Sequence, residues 1–125
     1  MERPGHRHRV GIVIEDPALR DSVRILLESH GFVVAEYDSA ARFLGKSPEC
    51  CVLVIDFGLS GVNGLELAEI LRSGDYAAPI IFMTDVIPAS IEPRVRALAH
   101  CKKLNKPVVP SALIALIGNS CSETA

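Results

Sequence analysis

The chain has 125 residues, which is enough for one domain with its own hydrophobic core and too few for two ordinary domains. Its composition, 49% hydrophobic and 22% charged, is typical of a folded globular protein, and its net charge of −2 argues against nucleic acid as a partner of this chain. No apolar run approaches the roughly 20 residues that span a bilayer and no signal peptide opens the chain, so we expect a cytoplasmic protein without membrane attachment.

The N-terminal third of the chain predicts an arm followed by a strand and a helix. Residues 1–9 are polar and basic without periodicity, and we expect a flexible arm there. The apolar run at 10–14 predicts a buried strand that ends at Glu15. Asp16-Pro17 then marks the start of a helix, because aspartate is a good N-cap and proline suits the first helical position. Gly31 ends that helix.

Two further strand and helix pairs follow. Residues 32–35 predict a second strand, and Ser39 caps a short helix after it. The apolar run at 51–55 predicts a third buried strand that leads into Asp56. A loop rich in turn-forming residues comes next and leads into a helix with apolar residues at helical spacing from Leu65 onward.

The remaining strands end in a hydroxyl and in an ammonium group. The run at 79–83 leads into Thr84, and a short stretch leads into Lys106-Pro107. Between them, Pro93 is tolerable only in a first helical turn, so the fourth helix should begin near Glu92 and stay short. A last helix is predicted at 111–117, within a domain that ends at 118 and is followed by a flexible tail at 119–125.

The order of these elements predicts an α/β protein with a parallel sheet and helices on both faces. Ligands of such sheets bind beyond the carboxyl ends of the strands, where Glu15, Asp56, Thr84 and Lys106 should meet. A carboxylate can attack phosphorus, and Mg²⁺ offsets the charge repulsion of that step. We expect Asp56 to be the nucleophile, and Asp56, Glu15 and the carbonyl of Gly58 to hold Mg²⁺. Lys106 and Thr84 would stabilise the phosphoryl oxygens.

The four cysteines show no spacing typical of a zinc site. Neighbouring Cys50 and Cys51 do not readily bridge each other. We expect all four, including Cys101 and Cys121, to be reduced, mostly structural thiols, with Cys121 the most reactive.

The chain resembles a response regulator receiver domain over residues 10–117. The resemblance is carried by Ile55-Asp56 with Gly64 eight residues later, by Phe82-Met83-Thr84 and by Lys106-Pro107. It implies a flavodoxin-like, doubly wound (βα)5 three-layer sandwich with strand order 2-1-3-4-5. It also implies a Mg²⁺ site, a cis peptide bond before Pro107, and phosphorylation of Asp56 by a partner histidine kinase, in a signalling domain that is not an enzyme.

Three positions depart from the pattern of that family. Ile14 stands where the first of two adjacent acids is usual, which should weaken Mg²⁺ binding because charge count sets much of the affinity for hard cations. Leu59-Ser60 replaces the usual Met-Pro. Lys103 replaces the aromatic residue that swings inward on activation, so that switch is absent here.

Two functions from different classes remain open at this stage. The first is a phosphorylatable receiver that takes its phosphoryl group from a histidine kinase or phosphotransfer protein and signals to a downstream effector. The second is a pseudo-receiver that binds its partner without phosphorylation. The apolar width of the last helix, with Leu113, Ile114, Leu116 and Ile117, also suggests a homodimer through that region. A flavin or nucleotide carrier is disfavoured, because no glycine-rich phosphate loop follows the first strand.

Overall fold

The computed structural model describes residues 9–46 and 48–123 of the chain. The strands are β1 (Arg9–Val13), β2 (Val33–Tyr37), β3 (Val52–Asp56), β4 (Ile80–Thr84) and β5 (Cys101–Asn105). The helices are α1 (Pro17–Ser29), α2 (Ala40–Lys46), α3 (Gly64–Ser73), α4 (Glu92–Arg96) and α5 (Pro110–Glu123). Arg9 begins β1, and the rest of the predicted arm lies outside the described residues.

All five strands are parallel, in the order β2-β1-β3-β4-β5. This confirms the predicted flavodoxin-like sheet. Because β1, β3, β4 and β5 are neighbours in that order, their carboxyl ends lie at one edge of the sheet. Residues that follow these strands are therefore brought to a common place.

Side chains alternate between the two faces of the sheet, and each face has its own core. On one face, residues such as Val13, Leu53 and Phe82 pack against α2, α3 and α4. On the other face, residues such as Ile12, Val54 and Met83 pack against α1 and α5. The result is the predicted three-layer sandwich, with a sheet buried between two layers of helices.

The helix starts confirm the reasoning from capping residues. Asp16 is the N-cap of α1, where its side chain accepts from the N–H of Leu19 at 3.0 Å, and Pro17 is the first helical residue. The fourth helix is short and contains Pro93 in its first turn, as predicted. None of the helices in the described part of the chain is long and apolar enough to cross a membrane.

The C-terminal end differs from the sequence-based expectation. Helix α5 runs to Glu123, so most of the tail predicted as flexible is helical, and residues 124 and 125 lie outside the described residues. The physical reason is packing, because Ser120 is fully buried and Cys121 contacts the core under α5. The polar composition of residues 119–123 gave no sign that one side of this segment packs on the sheet.

The expectation of four reduced cysteines is wrong for two of them. Cys51 and Cys121 form a disulfide that joins the start of β3 to the end of α5, across 70 residues of sequence. Their Cα atoms lie 4.9 Å apart because α5 lies over the face of the sheet that contains Cys51. Cys50 and Cys101 are free thiols, and burial raises the pKa of each.

The hydroxyl of Ser120, in α5, is buried, and its removal should stabilise the domain. Its side chain is 0% exposed, and its hydroxyl has no hydrogen-bond partner among the described residues. A buried unsatisfied hydroxyl costs free energy, so Ser120→Ala should raise the free energy of unfolding by about 1 kcal/mol beyond the gain from helix propensity. Urea unfolding measures this. Ser22→Ala, at an exposed position within α1, measures propensity alone, and equal gains in both variants would contradict the prediction.

Candidate functional site

Asp56 and Lys106 meet at the carboxyl-end edge of the sheet, as the sequence predicts. Asp56 is the last residue of β3 and is 8% exposed, whereas Lys106 follows β5 directly. The Lys106 ammonium lies 2.9 Å from Oδ1 of Asp56. The backbone N–H of Gly58 donates to the same oxygen at 3.1 Å. The carboxylate is thus held through Oδ1 by two donors from different elements.

The peptide bond between Lys106 and Pro107 is cis, which confirms the expectation from the family resemblance. The backbone N–H of Lys106 donates to the carbonyl of Thr84 at 2.8 Å and so continues the pairing of β4 with β5. This places the start of the Lys106 side chain beside the end of β4, next to β3. A lysine at this point of the chain can therefore reach Asp56.

Glu15 lies on the connection between β1 and α1, and its carboxylate contacts Ser60 in the loop after β3. The Ser60 N–H donates to Oε1 at 3.0 Å, and the Ser60 hydroxyl lies 2.6 Å from Oε1 and 2.7 Å from Oε2. These hydrogen bonds favour the charged form and hold the pKa of the Glu15 carboxyl below its usual value. Glu15 is therefore exposed and ionised at neutral pH, and its partner Ser60 lies on the loop that begins after Asp56.

Ile14 belongs to the core and not to the site. Its side chain is 0% exposed and packs on the face of the sheet that α1 and α5 cover. Its neighbour Val13 packs on the opposite face. Position 14 therefore supplies no side-chain oxygen to the site, and its backbone carbonyl accepts from Arg20 at 3.0 Å.

Thr84 lies at the predicted place, at the end of β4, and is buried. Its hydroxyl donates to the backbone carbonyl of Asp85 at 2.9 Å. In this conformation the hydroxyl is therefore engaged with its own loop, and the Asp85 side chain is exposed. A role for Thr84 toward a phosphoryl group requires its hydroxyl to change partner.

Lys103 lies in the middle of β5 with its side chain half exposed. Its ammonium is 3.6 Å from Oε2 of Glu92, at the start of α4. Glu92 also accepts from Arg96 at 3.0 Å. The position of the usual aromatic switch is thus occupied by an ion pair between β5 and α4.

The arrangement limits the metal site that the sequence predicts from Glu15, Asp56 and Gly58. In the part of the chain that the structure describes, no group of three or more His, Cys, Asp or Glu side chains is placed to hold a metal ion. The residues that would hold Mg²⁺ supply two carboxylates and a backbone carbonyl. Mg²⁺ accepts such a set when water completes the octahedron. The donor chemistry therefore fits a Mg²⁺ site of low charge.

Reasoning from sequence missed the contribution of the loop after β3. Ser60 contacts Glu15 across 45 residues of sequence, and nothing local indicates this contact. Asn63 and Glu66 form a capping box at the start of α3, which the spacing of an Asn and a Glu three residues apart does indicate. Together these contacts hold the middle and the C-terminal end of the loop that carries Gly58.

Comparison with known proteins gives one consistent result. A family model described as the response regulator receiver domain matches residues 10–118. The transcriptional regulatory protein FixJ of Azorhizobium caulinodans is 32% identical over 120 residues, which cover 93% of this chain and 56% of FixJ. FixJ of Bradyrhizobium diazoefficiens is 33% identical over 122 residues, which cover 94% of this chain and 57% of FixJ. This chain spans little more than half the length of these relatives.

Solved structures agree with the sequence relatives. The CheY-like response regulator receiver domain protein of Methanospirillum hungatei superposes with a TM-score of 0.83 at 26% identity. The superposition covers 92% of this chain and 94% of that protein. The similarity therefore extends over nearly all of the fold described above.

Proposed function

The chain belongs to the response regulator receiver domain family of two-component signalling, and on that basis we propose that Asp56 accepts a phosphoryl group from a histidine kinase or phosphotransfer protein. The observation that carries the proposal is the contact of Asp56 with Lys106 at 2.9 Å. It joins a nearly buried carboxylate to a fixed positive charge at the edge of the sheet where ligands bind.

The contacts of Asp56 support different roles for its two carboxylate oxygens. Both described contacts, from the Gly58 N–H and from the Lys106 ammonium, go to Oδ1. Oδ2 is then the oxygen that attacks phosphorus. In that step the bond from phosphorus to the Asp56 oxygen forms, and the bond from phosphorus to the donor histidine nitrogen breaks. Lys106 stays close enough to pair with the phosphoryl oxygens as a point charge.

The proposed Mg²⁺ site consists of Asp56, Glu15 and the Gly58 carbonyl, with water as the remaining ligands. When bound, Mg²⁺ would neutralise part of the negative charge that gathers as the phosphoryl group approaches Asp56. The side chains themselves supply position, since Asp56 is held from two directions and Glu15 by Ser60. With Ile14 buried, we expect weaker Mg²⁺ binding than in a receiver with two adjacent acids.

In the proposed mechanism, phosphorylation of Asp56 changes the conformation of Thr84 and then of α4. Phosphorylation would draw the Thr84 hydroxyl from the Asp85 carbonyl to a phosphoryl oxygen. The surface formed by α4, β5 and α5 then changes its affinity for an effector protein or for a second copy of the chain. Lys103 and its ion pair with Glu92 would take the place of the aromatic switch on this surface.

A second candidate function is favoured by the burial of Ile14. With no acid at this position, the domain has a reduced cation site and would serve as a pseudo-receiver that binds its partner regardless of phosphorylation. The same surface of α4, β5 and α5 would then be in its binding conformation at all times. The two functions differ in one measurable property, the chemistry of Asp56.

Phosphorylation is tested by incubating the protein with Mg²⁺ and a small acyl phosphate, followed by intact-mass measurement. We expect a gain of one phosphoryl group that hydroxylamine removes, because an acyl phosphate is labile to that nucleophile. Asp56→Asn should show no gain, since an amide forms no acyl phosphate. Beryllofluoride with Mg²⁺ should raise the melting temperature of the wild-type chain and not of Asp56→Asn.

The matched control for this experiment is Asp75→Asn. Asp75 is exposed in the turn between α3 and β4, at the opposite edge of the sheet, with φ of 67°. Asparagine tolerates this backbone region, so the variant should fold normally and gain one phosphoryl group. Absence of any gain in the folded wild-type chain at every Mg²⁺ concentration would contradict phosphorylation and favour the pseudo-receiver.

A further inference from the structure

The Glu15–Ser60 latch, defined as the hydrogen bonds from Ser60 to the Glu15 carboxylate, joins the connection after β1 to the loop after β3. Its distances are 3.0 Å from the backbone N–H and 2.6 and 2.7 Å from the hydroxyl. Hydrogen bonds to an ionised acceptor are roughly twice as strong as neutral ones. The latch therefore sets the orientation of an exposed side chain that would otherwise sample several rotamers.

The latch depends on a residue that departs from the family pattern. The usual residue at this position is proline, as noted above, and proline has neither a backbone N–H nor a hydroxyl. Ser60 supplies both donors at once. A receiver with proline at this position can form neither of these hydrogen bonds.

We propose that the latch competes with cation binding, so that Ser60 is a positioning residue that lowers the affinity of the Glu15–Asp56 site for divalent cations. The inference rests on the proposed function, which assigns Glu15 as a ligand. The hydroxyl lies within hydrogen-bond distance of both carboxylate oxygens and directs the carboxylate to the loop. A cation that takes Glu15 as a ligand must displace this donor or turn the carboxylate away from it.

The expected size of the effect follows from the population of the open latch. When only the open form binds, the apparent affinity is the intrinsic affinity multiplied by the open fraction. Ser60→Ala removes the hydroxyl and keeps the backbone N–H, so the open fraction rises. The net strength of a hydrogen bond to a charged group, taken at the low end of its range because this contact is exposed, predicts a roughly tenfold tighter apparent affinity.

The experiment titrates the full chain with Mn²⁺ and measures free Mn²⁺ by electron paramagnetic resonance, with Mg²⁺ competition as a second series. Wild type, Ser60→Ala, Glu15→Gln and the double variant form a thermodynamic cycle. We expect Ser60→Ala to bind more tightly than wild type, and to have no effect in the Glu15→Gln background. Ser73→Ala, at the exposed end of α3, is the matched control and should leave the affinity unchanged.

The outcomes separate the latch from a merely structural role. Unchanged or weaker binding in Ser60→Ala, or an equal gain in the Glu15→Gln background, would overturn the proposal. Ser60 is exposed and its substitution leaves no cavity, so the variant should remain folded at the temperature of the titration, which thermal unfolding checks. If wild type gains a phosphoryl group while Ser60→Ala binds Mn²⁺ as wild type does, the latch fails and the receiver function stands. If Ser60→Ala binds Mn²⁺ more tightly than wild type, and neither protein gains a phosphoryl group, the latch stands and the receiver function is contradicted.

Discussion

Gly64→Ala should destabilise the domain by about 3 kcal/mol, because no space exists for a methyl group at this position. A Cβ atom there would lie 2.7 Å from the Cα of Phe57 and 2.9 Å from the carbonyl oxygen of Asp56. Both neighbours are backbone atoms, which cannot move aside as the end of a flexible side chain can. Thermal unfolding should show a melting temperature lower by ~10 °C.

The close approach at Gly64 also fixes the site. The Gly64 N–H donates to the carbonyl of Phe57 at 3.2 Å and closes the loop that carries Gly58 and Ser60. A methyl group at 64 would push α3 from the end of β3 and shift that loop. We therefore expect Gly64→Ala to weaken Mn²⁺ binding even where the variant remains folded.

Gly118→Ala is the control for this prediction. Gly118 lies within α5, and a Cβ there meets nothing within 4 Å. Alanine should stabilise the helix by roughly 0.5 to 1 kcal/mol. Gly64→Ala with wild-type stability would show that the start of α3 can move away from β3 without cost.

Arg72→Met should cost about 3 kcal/mol, because one guanidinium serves several backbone carbonyls. Nε donates to Ala99 at 2.9 Å, while the two terminal nitrogens donate to Tyr76 at 2.5 Å and to Ala78 at 2.8 Å. A longer contact reaches His100 at 3.4 Å. Arg72 thus joins the end of α3 to the segments that enter β4 and β5. Methionine keeps most of the apolar stem and removes every donor.

Urea unfolding tests this prediction, with Arg42→Met as the control. Arg42 is 74% exposed and pairs with Asp38 one helical turn away at 3.1 Å, so its loss should change the free energy of unfolding by less than about 0.5 kcal/mol. Arg72→Lys should recover only part of the stability, since an ammonium lacks the planar fork that reaches several acceptors. Equal effects of the Arg72 and Arg42 variants would refute this role for Arg72.

Local chemistry in the sequence predicted most of the secondary structure. The runs that became β1, β3 and β4 are apolar throughout because the strands are buried on both faces. Each strand was displaced by only about one residue from its predicted bounds. Asp16-Pro17 and Pro93 marked helix starts correctly because caps and proline act within one turn of the chain.

The candidate site was predictable to a different degree for each residue. Asp56 ends β3 and Lys106 follows β5 at the same edge of one parallel sheet, so the topology that brings the strand ends together also brings these residues together. The partner of Glu15 was not predictable, because Ser60 lies in a loop whose path depends on α3 and on the cap at Asn63. The extent of α5 and the disulfide of Cys51 with Cys121 were missed because both depend on how α5 packs over the sheet.

The order of strands and helices, their starts and the chemical groups at the strand ends could be read from the amino-acid sequence, because apolar runs, caps and proline act over a few neighbouring residues. Which of those groups are in contact depends on tertiary packing. The contacts of Glu15 with Ser60, of Lys103 with Glu92 and of Cys51 with Cys121 join residues distant in sequence. Their distances depend on how helices and loops pack on the sheet, and no local pattern records that packing.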